Sequence, residues 1–338
     1  MSRIIVDVMG GDYAPREVIR GSVQAWEEYR RPITLIGKEL TILEELRAIG
    51  AEPADFTIID ASEVIENEES PTAAIRRKKD SSLVKAFEML REEHDSILIS
   101  AGSTGAVLTG ALLKVGRIKG VSRPGLAPLL PNAKGGSLLI DCGANVDSKP
   151  ENLVDFAVMG SIYMEKVMGR ENPTVGLINN GVEEKKGNAL AKEAHQLLKQ
   201  CPAINFAGNV EARDVTSGAV DVLVCDGFVG NVVLKEAEGV AMTLMGMIKE
   251  ALYKSFLTKM AALILKPGLT KVKALLNAEE YGGAPLLGIN GGVIKAHGNS
   301  NAYAFKNAIR QAITFQENEV LKHIRTQMEA KKQNEDNS

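Results

Sequence analysis

The chain has 338 residues, 45% hydrophobic, 25% charged and only 4% aromatic, with a formal net charge of -3. That length suits one large α/β unit or two domains of roughly 150 residues each, and the acidic balance with few aromatics argues against general nucleic-acid binding. Cys142, Cys201 and Cys225 lack zinc-site or disulfide-framework spacing, no stretch reaches the roughly 18 apolar residues of a spanning helix, and the first segment reads as a strand rather than a secretory leader, so a cytoplasmic protein is expected.

Short β-rich runs alternate with longer helical patterns. RIIVDV opens the chain, and a helix follows from Pro15 to about Tyr29, with Pro in its first turn. The pattern continues as ITLIG then ELTILEELRAIG, FTIID then SSLVKAFEMLREE, and SILIS then TGAVLTGALLKVG. After a Pro- and Gly-rich stretch, SRPGLAPLLPNAKGG, come SLLID then ENLVDFAVMGSIYMEKVMG, TVGLIN then NALAKEAHQLLKQ, and DVLVCD then a helix from about Gly230. This alternation predicts βαβ units around a mostly parallel sheet, with near-continuous apolar strands because both faces are covered. The Pro/Gly stretch reads as a crossing between two sub-domains about a central cleft, or as one long loop. Residues 1–330 are expected to form a single α/β unit, and the polar residues 331–338 a frayed tail.

The strands end on Asp7, Ser100, Asp141, Asn179 and Asp226, each beside a glycine turn. In an open α/β sheet, ligands lie outside the carboxyl ends of the strands, which places these turns around one cleft. Asp and Asn also initiate turns and cap helices, so each one taken alone has a structural reading too. The turns are MGGD (Gly10, Gly11, Asp12), AGSTGA (Gly102, Ser103, Thr104, Gly105), CGAN, NNGVEEKKG and DGFVGN (Gly227, Gly230, Asn231). Successive glycine-flanked N–H groups make an anion nest, and a following helix adds its positive end. AGSTGA fits best, with Ser103 or Thr104 capping the helix, although neither a P-loop nor a GxGxxG fingerprint occurs.

Lys185, Lys186, Arg213, Lys235, Lys295 and His297 (beside Gly298) lie near these turns and could supply charge, or could be solvated surface groups. Asp7 and Asp12 cannot hold bare phosphate, because like charges about 4 Å apart cost roughly 4 kcal/mol at an effective dielectric of 20. They are expected to orient lysines, cap a helix or hydrogen-bond substrate, and no dense carboxylate cluster suggests a metal. A rival reading takes AGSTG as a degenerate nucleophile elbow, with Ser103, Asp226 and His297 in the chain order of a serine acyl-hydrolase.

Residues 242–276 read as a basic amphipathic helical segment broken at Pro267-Gly268, with Lys249, Lys254, Lys259, Lys266, Lys271 and Lys273 among apolar residues. That pattern suits an anionic membrane surface or a subunit interface. A second basic cluster, Arg76-Arg77-Lys78-Lys79, could dock an acidic partner.

Taken together, VDVMGGDYAP, AIRRKKDSS, SAGSTGA, VGRIKGVSRPGLAPLLP, DCGANVDSKPE, GLINNGVEEKKGN, INFAGNVEARD, VLVCDGFVGNVVLK, YGGAPLLG and VIKAHGNSNAYAFKNAIRQA span nearly the whole chain. In this order they resemble the bacterial phosphate acyltransferases (PlsX-type), which convert acyl carrier protein thioesters and phosphate into acyl-phosphate. The resemblance implies a three-layer αβα fold of the phosphotransacetylase and isocitrate-dehydrogenase kind. It further implies no cofactor, a homodimer associated peripherally with the membrane, and a role in phospholipid synthesis, the product passing to a membrane glycerol-phosphate acyltransferase. The family's turn commonly reads SAGNTGA, so Ser103 here stands against a required serine nucleophile.

The expected mechanism is direct attack of phosphate on the thioester. The SAGSTGA turn, Lys185 or Lys186 and the DGFVGN turn would hold phosphate, and His297 or Asn231 would donate to the oxyanion or to phosphate. Asp7, Asp12 and Asp226 would order the basic groups. The alternatives are a short-chain phosphotransacetylase, a decarboxylating dehydrogenase on a related fold, and a non-enzymatic membrane scaffold that recruits acyl carrier protein.

Overall fold

Runs such as Ile4–Val6, Leu98–Ile99 and Val222–Val224 are fully buried, the environment of parallel strands covered on both faces. The computed structural model describes residues 3–132, 134–276 and 280–336. The first half of the chain forms β1 (Ile4–Asp7), α1 (Arg16–Tyr29), β2 (Ile33–Gly37), α2 (Glu39–Ala48), β3 (Thr57–Asp60), α3 (Pro71–Arg77), α4 (Ser82–Glu92), β4 (Ile97–Ser100), α5 (Thr104–Gly110), β5 (Gly125–Leu126), β6 (Leu129–Leu130), β7 (Ser137–Ile140) and α6 (Pro150–Lys166). Then follow β8 (Thr174–Asn179), α7 (Ala189–Gln200), β9 (Asn205–Glu211), β10 (Val222–Val224), α8 (Gly227–Tyr253), α9 (Phe256–Leu276), β11 (Gly283–Leu287), β12 (Gly292–Ala296), α10 (Ala302–Glu317) and α11 (Val320–Asp336).

The strands form two sheets. The first runs β3-β2-β1-β4-β12-β11-β5, parallel through β12 and antiparallel at β11 and β5; the second runs β6-β7-β10-β8-β9, parallel except for edge strand β6. The chain passes from the first sheet to the second between Leu126 and Leu129, inside the Pro/Gly-rich stretch, and returns at β11.

Helices cover both faces. In the first sheet, Val6 and Ile99 pack with Ile19, Phe305 and Ile309, while Ile5 and Leu98 pack with Val84, Phe87 and Val107 on the reverse. In the second, Ile140 and Val224 join Phe156 and Met159, and the opposite face sets Leu139 and Leu223 against Val229 and Val233 of α8. The layers are therefore helix, sheet, helix. One apolar cluster runs through both sheets by way of α6, α10 and α11. Within it the buried Tyr163 hydroxyl accepts from Gln311 Nε2 at 2.6 Å, and Gln311 Oε1 accepts from Gly283 N–H at 3.0 Å, tying α6 to α10 and β11.

Some boundaries differ from the sequence reading. Helix α8 starts at Gly227 because Asp226 Oδ1 accepts from the N–H groups of Phe228 and Val229, at 3.0 and 2.9 Å. The break in the basic segment falls after Tyr253, where Ser255 and Thr258 exchange capping hydrogen bonds, and Pro267 lies inside α9. Helix α11 continues to Asp336, so the polar stretch 331–336 is helical rather than frayed; Asn337 and Ser338 lie outside the described residues. Strands β9, β11 and β12 escaped the pattern because Gly208, the Gly283–Pro285 start and Lys295 break or shorten their apolar runs.

Replacing Tyr163 with Phe should lower stability by about 1–2 kcal/mol in urea unfolding, because the Gln311 Nε2 donor loses its buried partner. An unchanged midpoint would show that this hydrogen bond does not join the two sheets.

Candidate functional site

Strands β1, β4 and β12 are neighbours and parallel, so their carboxyl ends open on one rim. Asp7, Ser100 and Lys295 occupy one row across them. All three are buried. Ser100 Oγ donates to Asp7 Oδ2 at 2.7 Å and accepts from Gly102 N–H at 3.1 Å. Lys295 Nζ donates to the carbonyl oxygens of Ala101, at 3.3 Å, and Ala296. Burial pushes the Asp7 carboxyl up, and it brings the Lys295 ammonium down to about 8 even though Asp7 and Asp12 favour its charge.

The three turns beyond this row interlock. A Cβ on Gly10 would lie 2.6 Å from Gly102 N and 2.7 Å from Asp7 Oδ2, so only glycine lets these backbones meet. Gly11 has φ +113°, and Asp12 N–H donates to Gly298 O at 2.8 Å. Ser103 occupies the N-cap position of α5 without a side-chain cap bond, which leaves the first-turn N–H groups at Thr104 and Gly105 free of it. Gly105 also permits contact with Pro71, since its Cβ would sit 2.8 Å from Pro71 Cγ. His297 is exposed, and its Nδ1 faces the Asn299 N–H at 3.5 Å.

The second rim lies at the ends of β7, β10 and β8. Asp141 is fully buried and its carboxylate accepts from Leu126, Ala144 and Asn145 N–H and from Asn145 Nδ2, at 2.6–3.2 Å. Desolvation still raises its pKa. Asn145 Nδ2 donates also to Pro124 O at 2.6 Å, so residues 124–126, next to the first sheet's edge, are stitched to this rim. A Cβ on Gly230 would lie 1.9 Å from Asp141 O, and one on Gly227 2.6 Å from Asn145 O; the two glycines seat α8 directly on the turn. The Asn231 side chain then lies beside Gly143, 3.8 Å from where its Cβ would stand. Lys185 and Lys186 are exposed in the loop after β8, which Asn179 Nδ2 braces by donating to Lys186 O at 3.2 Å.

The structure thus gathers Asp7, Gly10, Gly11, Asp12, Gly102, Ser103, Thr104, Gly105, His297 and Gly298 at one rim, and Gly227, Gly230 and Asn231, with Lys185 and Lys186 in the next loop, at the other. Two assignments change. Asp226 spends its carboxylate on capping α8 instead of ordering a basic group. Lys235 pairs with Glu238 at 2.8 Å, one turn on, so its charge is already met. The serine-hydrolase arrangement is absent, because His297 Nδ1 engages Asn299 and Asp226 engages its own helix. Cys142 and Cys225 are buried thiols whose pKa values burial raises, consistent with packing roles. Lys295 was the residue undervalued in the sequence; a lysine inside GGVIKA is the visible signal, since a charge in an apolar strand must be paired.

Comparison with known proteins gives a consistent picture. Residues 2–323 match the model of a family described as "Fatty acid synthesis protein". The chain is 52% identical over 330 residues to a phosphate acyltransferase of Clostridium novyi (strain NT), covering 97% of this chain and 99% of the relative. It is 50% identical over 322 residues to one of Alkaliphilus oremlandii (strain OhILAs), covering 95% and 96%. Among solved structures, a phosphotransacetylase from Streptococcus pyogenes superposes with a TM-score of 0.66 at 17% identity, over 93% of this chain and 94% of that one, which shows a shared fold.

The lowered Lys295 pKa has a sign that can be tested. Between about 8, its value in the folded chain, and its ordinary 10.5, the unfolded chain binds more protons at this position, so stability contributed by this group rises with pH across that window. Urea midpoints followed through it should climb less steeply in Lys295→Met than in the parent chain. Parallel curves would mean that the ammonium is not desolvated.

Proposed function

The chain belongs to the bacterial phosphate acyltransferases, and from that premise we propose that it transfers an acyl group from acyl carrier protein to inorganic phosphate by direct attack on the thioester. The observation that carries this reading is the turn 101–105. There the Thr104 and Gly105 N–H groups are left uncapped by the Ser103 side chain, and the turn is backed by the buried Lys295 ammonium at the carboxyl rim of a parallel sheet. Phosphate seated there meets concentrated positive potential without a fully charged side chain in contact.

A thioester needs little further activation. Its thiol has a pKa near 8.5, so the thiolate leaves without a strong acid. The phosphate oxygen forms a bond to the carbonyl carbon as the carbon–sulfur bond breaks, and the departing sulfur takes up a proton. The protein's tasks are to hold the two reactants together and to stabilise the oxyanion. The His297 imidazole and the Asn231 amide are the candidate donors. Lys186 adds charge from a braced loop, and the carbonyl oxygens of Ala101 and Ala296 keep Lys295 in place.

An apolar surface leads away from the second rim. Phe228, Val232, Val240, Leu244 and Met247 are all exposed and recur at helical spacing along α8. On α9, Phe256, Leu257 and Ile264 are 77%, 79% and 82% exposed among basic residues. Among the described residues no helix is long and apolar enough to cross a membrane. The reading extends to a homodimer that buries part of α8 and rests α9 on an anionic membrane, where the product would meet a membrane acyltransferase. Exposed Arg76, Arg77 and Lys79 suit the acidic carrier protein, whereas Lys78 is tied down by Glu69 and Val64 O.

Incubating the protein with acyl carrier protein thioester and inorganic phosphate should yield free carrier and acyl-phosphate in equal amounts. Lys186→Ala should reduce kcat/KM for phosphate about 10–100-fold, the scale of a lost charge-assisted contact. A burst of acyl-enzyme formed without phosphate would overturn direct attack. In flotation assays the chain should bind vesicles of anionic lipid and not neutral ones, and Leu257→Ser with Ile264→Ser should abolish that binding. Undiminished flotation of the double variant would remove α9 from the membrane contact.

A further inference from the structure

A cavity of about 420 Å³ opens where the loop before β5 meets the start of α6. Arg117 and Arg123 line it from the loop and Lys149 from the helix N-cap; Asp147 is the one carboxylate on its wall. None of the three cations belongs to an ion pair among the described residues. Three uncompensated cations around one concavity, with the positive end of a 17-residue helix beside them, make an anion site.

The frame behind the cavity is rigid. Arg117 Nη1 donates to Ser122 O. Ser122 donates through N–H and Oγ to the buried Asp155 carboxylate, at 3.1 and 2.6 Å, and its Oγ accepts from Asn152 Nδ2 at 2.6 Å. Lys331 of α11 closes the network on Asp155 Oδ1 at 2.5 Å. A buried acid therefore fixes the loop that presents both arginines, and the site is organised before any ligand arrives.

Its position separates it from the reacting phosphate. Leu112, on the cavity wall, lies eight residues beyond Thr104 along α5 and the helical turn that continues it, a distance of about 12 Å at 1.5 Å per residue. On its other side, Asp147 follows within six residues of Asp141 at the second rim. The cavity lies too far from the 101–105 turn to hold the attacking phosphate. It is placed for an anion at the far end of an extended molecule whose other end reaches the rim.

We propose that Arg117, Arg123 and Lys149 bind the phosphate of the phosphopantetheine arm that carries the acyl thioester. This rests on the thioester-plus-phosphate reading above. It adds a second anion site that anchors the arm and leaves the thioester at the glycine turns. Arginine suits a phosphate oxygen pair through its fork of donors, and lysine adds a point charge.

Two measurements separate the site from the reaction. In titration calorimetry the parent chain should bind phosphopantetheine, and the variant Arg123→Ala with Lys149→Ala should bind it at least about tenfold more weakly, as loss of charge-assisted contacts implies. Pantetheine, which lacks the phosphate, should bind both proteins equally weakly. In turnover with saturating inorganic phosphate, the double variant should lose about tenfold or more in kcat/KM for acyl-phosphopantetheine and nothing for acyl-pantetheine. Equal binding of phosphopantetheine by parent and variant, or equal losses on both thioesters, would overturn the assignment. Binding that depends on Arg123 and Lys149 without turnover of either thioester would uphold the cavity and overturn the reaction. Turnover that ignores the phosphate would do the reverse. Both side chains are exposed and outside the Asp155 network, so folding is not at stake; an unchanged urea midpoint checks it.

Discussion

A carboxylate and an ammonium lie buried in the row where three central parallel strands end. Asp7 and Lys295 flank Ser100 on β1, β12 and β4 among isoleucines, leucines and valines; Asp7 accepts from Ser100 Oγ, and Lys295 donates to the carbonyl oxygens of Ala101 and Ala296. The arrangement fixes register as well as electrostatics. A slip of one residue in β12 would turn Lys295 to the opposite face and away from the Ala101 carbonyl that it donates to. The register in turn decides which residues emerge as turns, and so whether Gly10, Gly102 and Gly298 meet. The meeting of the three glycine turns thus depends on buried polar groups in the strands behind them.

The second sheet solves a similar problem with different chemistry. Asp141 is as deeply buried as Asp7, but no lysine answers it. Four N–H donors from Leu126, Ala144 and Asn145 satisfy its two oxygens. One donor belongs to the first sheet's edge strand, so this carboxylate joins the sheets across the Pro/Gly crossing. The consequence is an asymmetric pair of rims. One carries a buried cation behind uncapped N–H groups; the other is a closed hydrogen-bond knot that seats a long helix through Gly227 and Gly230. The first side carries its cation buried within the sheet, and the second carries exposed Lys185 and Lys186 in a loop beside the neutral Asn231.

Much of this was legible in the residues. Apolar runs alternating with helical periodicity predict parallel strands covered by helices, and polar strand ends beside glycines predict where ligands gather; both patterns are local and survive folding. The Pro/Gly stretch likewise marks the place where the chain changes sheets. What could not be read depended on partners distant in sequence or on competition between near neighbours. Asp226 looked like a site acid, yet its carboxylate is two and three residues from the N–H groups it caps. Lys235 looked free until the helix placed Glu238 one turn away. Lys295 looked like a surface charge near a turn, because the Ala101 carbonyl that it donates to lies 194 residues earlier in the chain. Pro267 suggested a break, but Ser255 and Thr258 had already supplied one.

The same partner logic bears on how a long substrate could be held. Inorganic phosphate is small and fully charged, and N–H groups backed by a buried ammonium suffice for it. A thioester on an extended arm offers only weak local contacts at the reacting carbon, so its orientation must come from elsewhere along its length. The structure has two surfaces of the right kinds leading from the rims. One is the cationic cavity held by Asp155, and the other is the exposed apolar stripe of α8. Neither surface needs to move, since α6 and α8 begin on the same knot around Asp141, one through the turn 141–149 and the other through Gly227 and Gly230. A buried carboxylate therefore fixes where both helices start.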